Sequence, residues 1–321
     1  MNIGFSKTAF LSLTFLIHLF SFSVLVCALD TITPSLLIKE PQTISSNNSM
    51  FTLGFFGPEN STNGYLGIWL MTKSTIAWVA NRNDPLADSS GVLTISENGN
   101  LVVLNGQKQV VWSTNVSHIA SNSSAQLLDS PNLVLVDGIT GTMMWQSFQH
   151  PCDTLLQDMK LSSNQQKGEK VRLTSWKSIS DPSLGEFSLG IEPACVTEIR
   201  IWKGNHPYFR SGPWNGINLL GTPGQSFIFG NGIEVRGDEG SFKLSFHVKD
   251  KSFLMIFTID SQRRTEERIW NFHGNIWEVG WIIGDSECDI YGKCGPFGIC
   301  NKRSSPICSC LRGLEPKNKE E

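Results

Sequence analysis

From Phe51 onward, apolar positions come in short runs separated by clusters of Asn, Gly, Asp, Pro and Ser. "FTLGFF", "YLGIWLM", "IAWVA", "VLTI", "NLVVL", "VVWS", "AQLL" and "NLVLV" follow in that order. Runs of this kind, bounded by turn formers at regular spacing, predict the strands of an all-β domain, and helix signal is scarce. "ENGNLVVLNG" (Glu97 to Gly106) returns as "DSPNLVLVDG" (Asp129 to Gly138). A repeat of about thirty residues marks one supersecondary unit that buries its apolar face against its siblings.

"QHPCDTLLQDMKLSSNQQKG" (Gln149 to Gly168) interrupts the pattern and reads as a linker over 150–168 with one short helical turn. Strand-like runs then resume: "VRLTSW", "GEFSLGI", "EIRIW", "FKLSFHV", "FLMIFTI", "ERIWNF" and "IWEVGW". Within them, "FKLSFHVKDKSFLMIFTID" predicts a hairpin turning at Lys249 to Ser252. The expected organisation is a first β-domain over 29–149, the linker, a second β-domain over 169–284, and a cysteine-rich tail over 285–321. Small β-domains bury Trp as core anchors, which assigns Trp69, Trp78, Trp112, Trp145 and Trp176 to the interior. Trp214, in the turn-rich "RSGPWNG", is instead a candidate for surface recognition, because functional residues gather on loops held by a rigid scaffold.

The N-terminus sets the compartment. Lys7 precedes the apolar "AFLSLTFLIHLFSFSVLV", with Val26 and Ala28 at −3 and −1 of a cut after Ala28. This is the layout of a secretory signal peptide over residues 1–28. A signal anchor is the alternative, since the run nearly reaches bilayer-spanning length. No later run does, so no membrane span is expected after cleavage. The formal net charge of −3 is small and of mixed sign, which argues against nucleic acid or an anionic membrane as partner. Four N-x-[ST] sequons, at Asn47, Asn60, Asn115 and Asn122, lie in Ser/Asn-rich sequence suited to exposed, glycosylated loops.

Several stretches together carry a family resemblance: "IAWVANRNDPL", "MWQSFQHPCDTLLQDMKL", "LTSWKSISDPSLGEFSLGIEP", "PYFRSGPWNG" and "CDIYGKCGPFGICNKRSSPICSCLRGLEPKN". In this order they resemble the ectodomain of plant G-type lectin S-receptor-like kinases and their secreted relatives, the S-locus glycoproteins. The resemblance implies a bulb-type lectin domain over 29–149, a second lectin-like S-locus glycoprotein domain over 169–284, and an EGF-like module over 285–321. The fold class it implies is all-β, with two tandem β-prism domains and a small disulfide-rich module. The family continues with a PAN/apple domain, a transmembrane helix and a cytoplasmic Ser/Thr kinase, all beyond "LEPKNKEE".

The EGF-like pattern implies the bonds Cys288–Cys300 and Cys294–Cys308, each closing a loop that stabilises by about 3 kcal/mol in the chain-entropy model. The same pattern leaves Cys310 unpaired and makes the module a truncated one. Cys152 and Cys195 fall outside the family pattern, which typically has Thr at the first of these positions. Two such cysteines in one secreted chain suggest a Cys152–Cys195 bond; pairing of one of them with Cys310, or three free thiols, are the alternatives.

In bulb lectins the mannose site is Q-x-D-x-N-x-V-x-Y, whose alternate residues share one face of a strand. Aligned on Asn100, that face carries Ser96, Asn98, Asn100, Val102 and Leu104 here; in the second copy it carries Leu128, Ser130, Asn132, Val134 and Val136. Gln, Asp and Tyr are replaced in both. Losing several polar partners at about 1 kcal/mol net each removes most of the affinity of a weak sugar site. Asn98, Asn100, Val102, Asn132 and Val134 are thus the remnants of a sugar site, with Asn100 and Asn132 expected to stabilise turns or bond the backbone.

No H-E-x-x-H, G-x-S-x-G, P-loop or kinase signature is present. His150, Cys152 and Asp153 adjoin in "FQHPCD", but neighbours in sequence are not the spatial arrangement that a Cys nucleophile needs. An oxidising compartment favours disulfides over a zinc site in the tail. The reading is a secreted or cell-surface, glycosylated, non-catalytic recognition module without cofactor or metal. By resemblance it is the ligand-binding ectodomain of an S-domain receptor-like kinase acting in recognition of pollen or in defence signalling. Its expected partners are an extracellular peptide or protein and a co-receptor or second copy. The alternative is a secreted mannose- or carbohydrate-binding defence lectin.

Overall fold

The structure is a computed structural model that describes residues 29–316, apart from 118–121, 193–196, 217–218, 222–232, 239 and 249–252. The expected leader over 1–28, Cys195 and the Lys249–Ser252 turn lie outside the described residues.

Residues 31–146 build three four-stranded antiparallel sheets. Each is a three-strand meander completed by one short strand from the N-terminal stretch. β1 (Thr31–Ile32) joins β10 (Ser123–Leu127), β11 (Leu133–Asp137) and β12 (Met143–Gln146); β2 (Ile38–Lys39) joins β7 (Val92–Ile95), β8 (Leu101–Leu104) and β9 (Val110–Ser113). β3 (Thr43–Ser45) joins β4 (Phe51–Phe56), β5 (Tyr65–Leu70) and β6 (Ile76–Val79). Period-two alternation turns one face of each sheet inward, so Ile32, Ile44, Leu53, Ile68, Leu93, Leu101, Val103, Leu133 and Leu135 form a common buried core.

A second set of three four-stranded sheets follows. β13 (Thr154–Leu155) edges a meander of β22 (Leu254–Ile259), β23 (Thr265–Asn271) and β24 (Ile276–Ile283). The middle sheet runs β15 (Glu169–Val171), β14 (Leu161–Asn164), β21 (Ser241–Phe246), β20 (Ile233–Asp238). The third is the meander β16 (Leu173–Ser178), β17 (Asp181–Glu192), β18 (Glu198–Lys203), β19 (His206–Arg210). The molecule is thus all-β, with two tandem three-sheet prisms and a small disulfide-closed module behind them.

Two sequence expectations are corrected here. Residues 150–168 are not a free linker: they supply β13 and β14 to the second prism, because Leu155, Leu156, Met159 and Leu161 are apolar and become buried. The short helical turn falls just before this segment, as a 3-10 turn at Ser147–Gln149. The expected hairpin across Lys249 to Ser252 does not form either. β21 pairs with β14 and β20, whereas β22 pairs with β13 and β23, so the two consecutive strands belong to different sheets.

The tail carries β25 (Gly298–Cys300) paired with β26 (Cys308–Cys310), the disulfides Cys288–Cys300 and Cys294–Cys308, and a free Cys310. It is tied to the second prism through Tyr291, whose N–H donates to the Tyr208 carbonyl (2.7 Å) and whose ring lies 5.2 Å from the Arg210 guanidinium.

The joint between the prisms is polar and buried. Arg82, 8% exposed, donates from Nε to the Pro182 carbonyl (2.7 Å) and from Nη2 to the carbonyls of Ser175 (2.9 Å) and Thr174 (3.2 Å). Beside it, Phe56 stacks on Trp176 with centroids 6.5 Å apart.

Candidate recognition site

The third strand of each meander in the first prism points a Trp inward: Trp78 on β6 opposite Ile68, Trp112 on β9 opposite Val103, and Trp145 on β12 opposite Leu135. The three indoles meet edge to face, with centroids 5.7–5.9 Å apart. Such pairs each add about 0.5–1.5 kcal/mol beyond area burial. Trp78 Nε1 donates to the His150 carbonyl (2.9 Å), and the His150 ring stacks on Trp145. These tryptophans are therefore structural, and their threefold placement was hidden in "IAWV", "VVWS" and "MMWQ", a repeat that the Asn-centred comparison overlooks.

On the outward faces, both motif asparagines are 6% exposed and occupied by their own chain. Asn100 Oδ1 accepts from Val116 N (2.7 Å) and Thr114 Oγ1 (2.9 Å), while its Nδ2 donates to the Val116 carbonyl (3.3 Å). Asn132 Oδ1 accepts from Ser147 Oγ (3.1 Å) and Phe148 N (3.2 Å), and its Nδ2 donates to Gln146 Oε1 (2.9 Å). In each repeat the Asn thus latches the segment leaving the third strand. Asn98 is exposed, but its Oδ1 is taken by Ser96 Oγ (2.5 Å) and Asn100 Nδ2 (3.3 Å). Val102 and Val134 are 4% and 3% exposed, leaving no apolar surface for a sugar ring. Across the strands Val102 is flanked by Thr94 and Ser113, and Val134 by Gln126 and Gln146. Gln126 Nε2 donates to Asp30 Oδ2 (2.7 Å), so that amide is engaged as well.

A concavity of about 480 Å³ opens between the segment after β9 and the β11–β12 hairpin, lined by Asn115, Val116, Ser117, Asp137, Thr142 and Met144 among others. Asp137 Oδ1 already accepts from Ile139 N (2.8 Å). Asn115 is itself a sequon residue, and all four sequon asparagines are exposed.

His150, Cys152 and Asp153 do not assemble into a catalytic group. The Cys152 thiol is free and buried against Val79, accepting from its N–H (3.2 Å) and donating to its carbonyl (3.5 Å). Burial pushes that thiol up to about 11 and lowers the His150 imidazole, so neither a thiolate nor an imidazolium is at hand. The expected Cys152–Cys195 bond is corrected on the same geometry: Cys152 is bound into the first prism as an apolar thiol, and Cys195 lies outside the described residues. Trp214 is half-buried and packs on the core instead of standing out as a recognition residue. Cys294, Cys300 and Cys308 bring their sulfurs within 4.8 Å, but all three are spent in disulfides. Among the described residues no helix is long and apolar enough to cross a membrane.

Residues 75–177 match the D-mannose binding lectin family and residues 209–318 the S-locus glycoprotein domain. The chain is 40% identical over 283 residues to a G-type lectin S-receptor-like serine/threonine-protein kinase of Arabidopsis thaliana, covering 87% of this chain and 35% of the kinase. To a second such kinase of that plant, SD1-13, it is 39% identical over 322 residues, covering 96% and 38%. The chain therefore spans little more than a third of the curated relatives it matches. The mannose-specific agglutinin of snowdrop (Galanthus nivalis) bulbs, solved with methyl-α-D-mannoside, aligns at 18% identity and a TM-score of 0.28, over 36% of this chain and 93% of the agglutinin. By sequence, this chain belongs to the G-type lectin S-receptor-like kinase family, as a homologue of its lectin and S-locus glycoprotein segment.

Proposed function

We infer that this chain is an extracellular, glycosylated recognition module that binds a peptide or protein ligand, in pollen recognition or defence signalling, and does no chemistry of its own. The family relationship supports an ectodomain role, and the signal-like first 28 residues and four exposed sequons support secretion. The tail fits an EGF-like module by its cysteine pairing. One observation carries the choice of ligand. Asn100 and Asn132 spend their side chains on backbone and side-chain groups of their own chain, and the motif positions of Gln, Asp and Tyr hold other residues in both repeats. What remains on those two faces offers a sugar few unengaged hydrogen-bonding groups, which supports the peptide reading.

The deciding experiment is calorimetric titration of the secreted chain with methyl-α-D-mannoside, paired with passage over immobilised mannose. No heat of binding and no retention are expected. Saturable binding that free mannoside competes away would overturn the reading in favour of the carbohydrate-binding defence lectin.

A further inference from the structure

Among the described residues, the Glu267 carboxylate has no counter-ion. It is 6% exposed and lies in the middle of β23, directly opposite Phe257 of β22 and Trp281 of β24. The two arginines nearest in sequence, Arg264 and Arg268, both pair with Glu266, whose side chain the alternation of the strand sends to the other face. Burial alone acts on the Glu267 carboxyl, and it pushes the group above the usual carboxylate range. A buried charge without a partner is costly and asks for an explanation.

Its surroundings suggest one. β24 carries a bulge against β23, and the extra residue is Gly280. A Cβ there would stand 2.5 Å from Glu267 Oε1. Gly280 is exposed, so the missing side chain leaves a way in from solvent to a carboxylate that is otherwise covered. Two further polar groups on that face, both buried, have no partner among the described residues: the Thr265 hydroxyl, two residues before Glu267, and the Trp281 indole N–H. Glu278, exposed and one row further along the same face, adds a second carboxylate, one oxygen of which accepts from Asn271 Nδ2 (2.6 Å). Acceptors at Glu267 and Thr265, an indole face at Trp281 and a second negative charge together form a cation-seeking set.

We propose that Glu267, Thr265, Trp281 and Glu278 form a surface site for the guanidinium or ammonium of a basic side chain presented by a peptide. The cation would enter beside Gly280, pair with Glu267 and lie against Trp281. This deepens the peptide-recognition reading above and rests on it only for the source of the cation.

The test follows the Trp281 indole resonance in the secreted chain during titration with N-acetyl-arginine methylamide, N-acetyl-lysine methylamide and spermidine. A saturable shift with either amino-acid probe is expected, weakened roughly tenfold or more in Glu267→Gln, which keeps size and shape. Gly280→Ala, whose Cβ would fill the approach and crowd Glu267 Oε1, is expected to weaken it as well. No saturable shift at tens of millimolar, or an unchanged response in Glu267→Gln, overturns the site. Binding of spermidine alone overturns the peptide source. Mannose binding would sink the ligand reading above while leaving this result intact.

Discussion

Arg82 Nε donates to the Pro182 carbonyl at 2.7 Å, joining the segment after β6 in the first prism to the start of β17 in the second. Two further carbonyls, of Thr174 and Ser175, take the other side of the same guanidinium. Removing it leaves three inward carbonyls unmatched and strips the positive charge from beside Asp153. Arg82→Ala is therefore expected to cost about 3–5 kcal/mol, the range for breaking a buried ionic group by deleting one partner. Urea unfolding monitored by tryptophan fluorescence reads this, and a loss below 1 kcal/mol would show that the prisms do not depend on the contact.

Asp153 gives the fold a pH dependence of definite sign. Burial raises its carboxyl from 3.8 to about 7, against the opposing pull of Arg82. Between those values the folded chain holds a proton that the unfolded chain has released, so stability falls as pH rises through that window. Asp153→Asn is expected to flatten the fall. Thermal midpoints measured across the window check it, and an unchanged slope in the variant would assign the dependence elsewhere.

Trp145→Ala removes one corner of the indole triangle and the surface on which His150 stacks. A loss of about 3–5 kcal/mol is expected, as for other large-to-small changes at buried aromatics. Truncation at Trp112, which is only half-buried, is expected to cost less. Equal losses at the two positions would contradict the unequal burial.

Asn132→Ala separates structure from sugar binding. It leaves the Phe148 N–H and the Ser147 hydroxyl without their acceptor, and about 1–3 kcal/mol of stability is expected to go with them. Since that side chain is directed at the backbone, the response to methyl-α-D-mannoside is expected to stay where it was. A stable variant with altered mannoside binding would reopen the carbohydrate reading.

The strand series was legible because each apolar run is short, bounded by turn formers, and long enough for one crossing of a sheet. Sheet membership was not. β21 and β22 alternate just as a hairpin would, and only distant partners at β14 and β13 decide that they part company. "DTLLQDMKL" shows no alternation at all, so its conversion into β13 and β14 depends on pairing with strands far along the chain, Thr154 with Thr258 and Leu161 with Leu244. Glu267 was invisible for a related reason. In "TEERIWN" nothing marks one acid as paired and the next as stranded until the register assigns each to a face.

Thr31 to Ser45 hands one strand to each of the three sheets in the first prism. A single proteolytic clip near Ser46 would therefore uncover three ladder edges together, on β10, β7 and β4, each a template for another chain. Trimming this stretch away would turn a self-contained body into one prone to assemble with its neighbours.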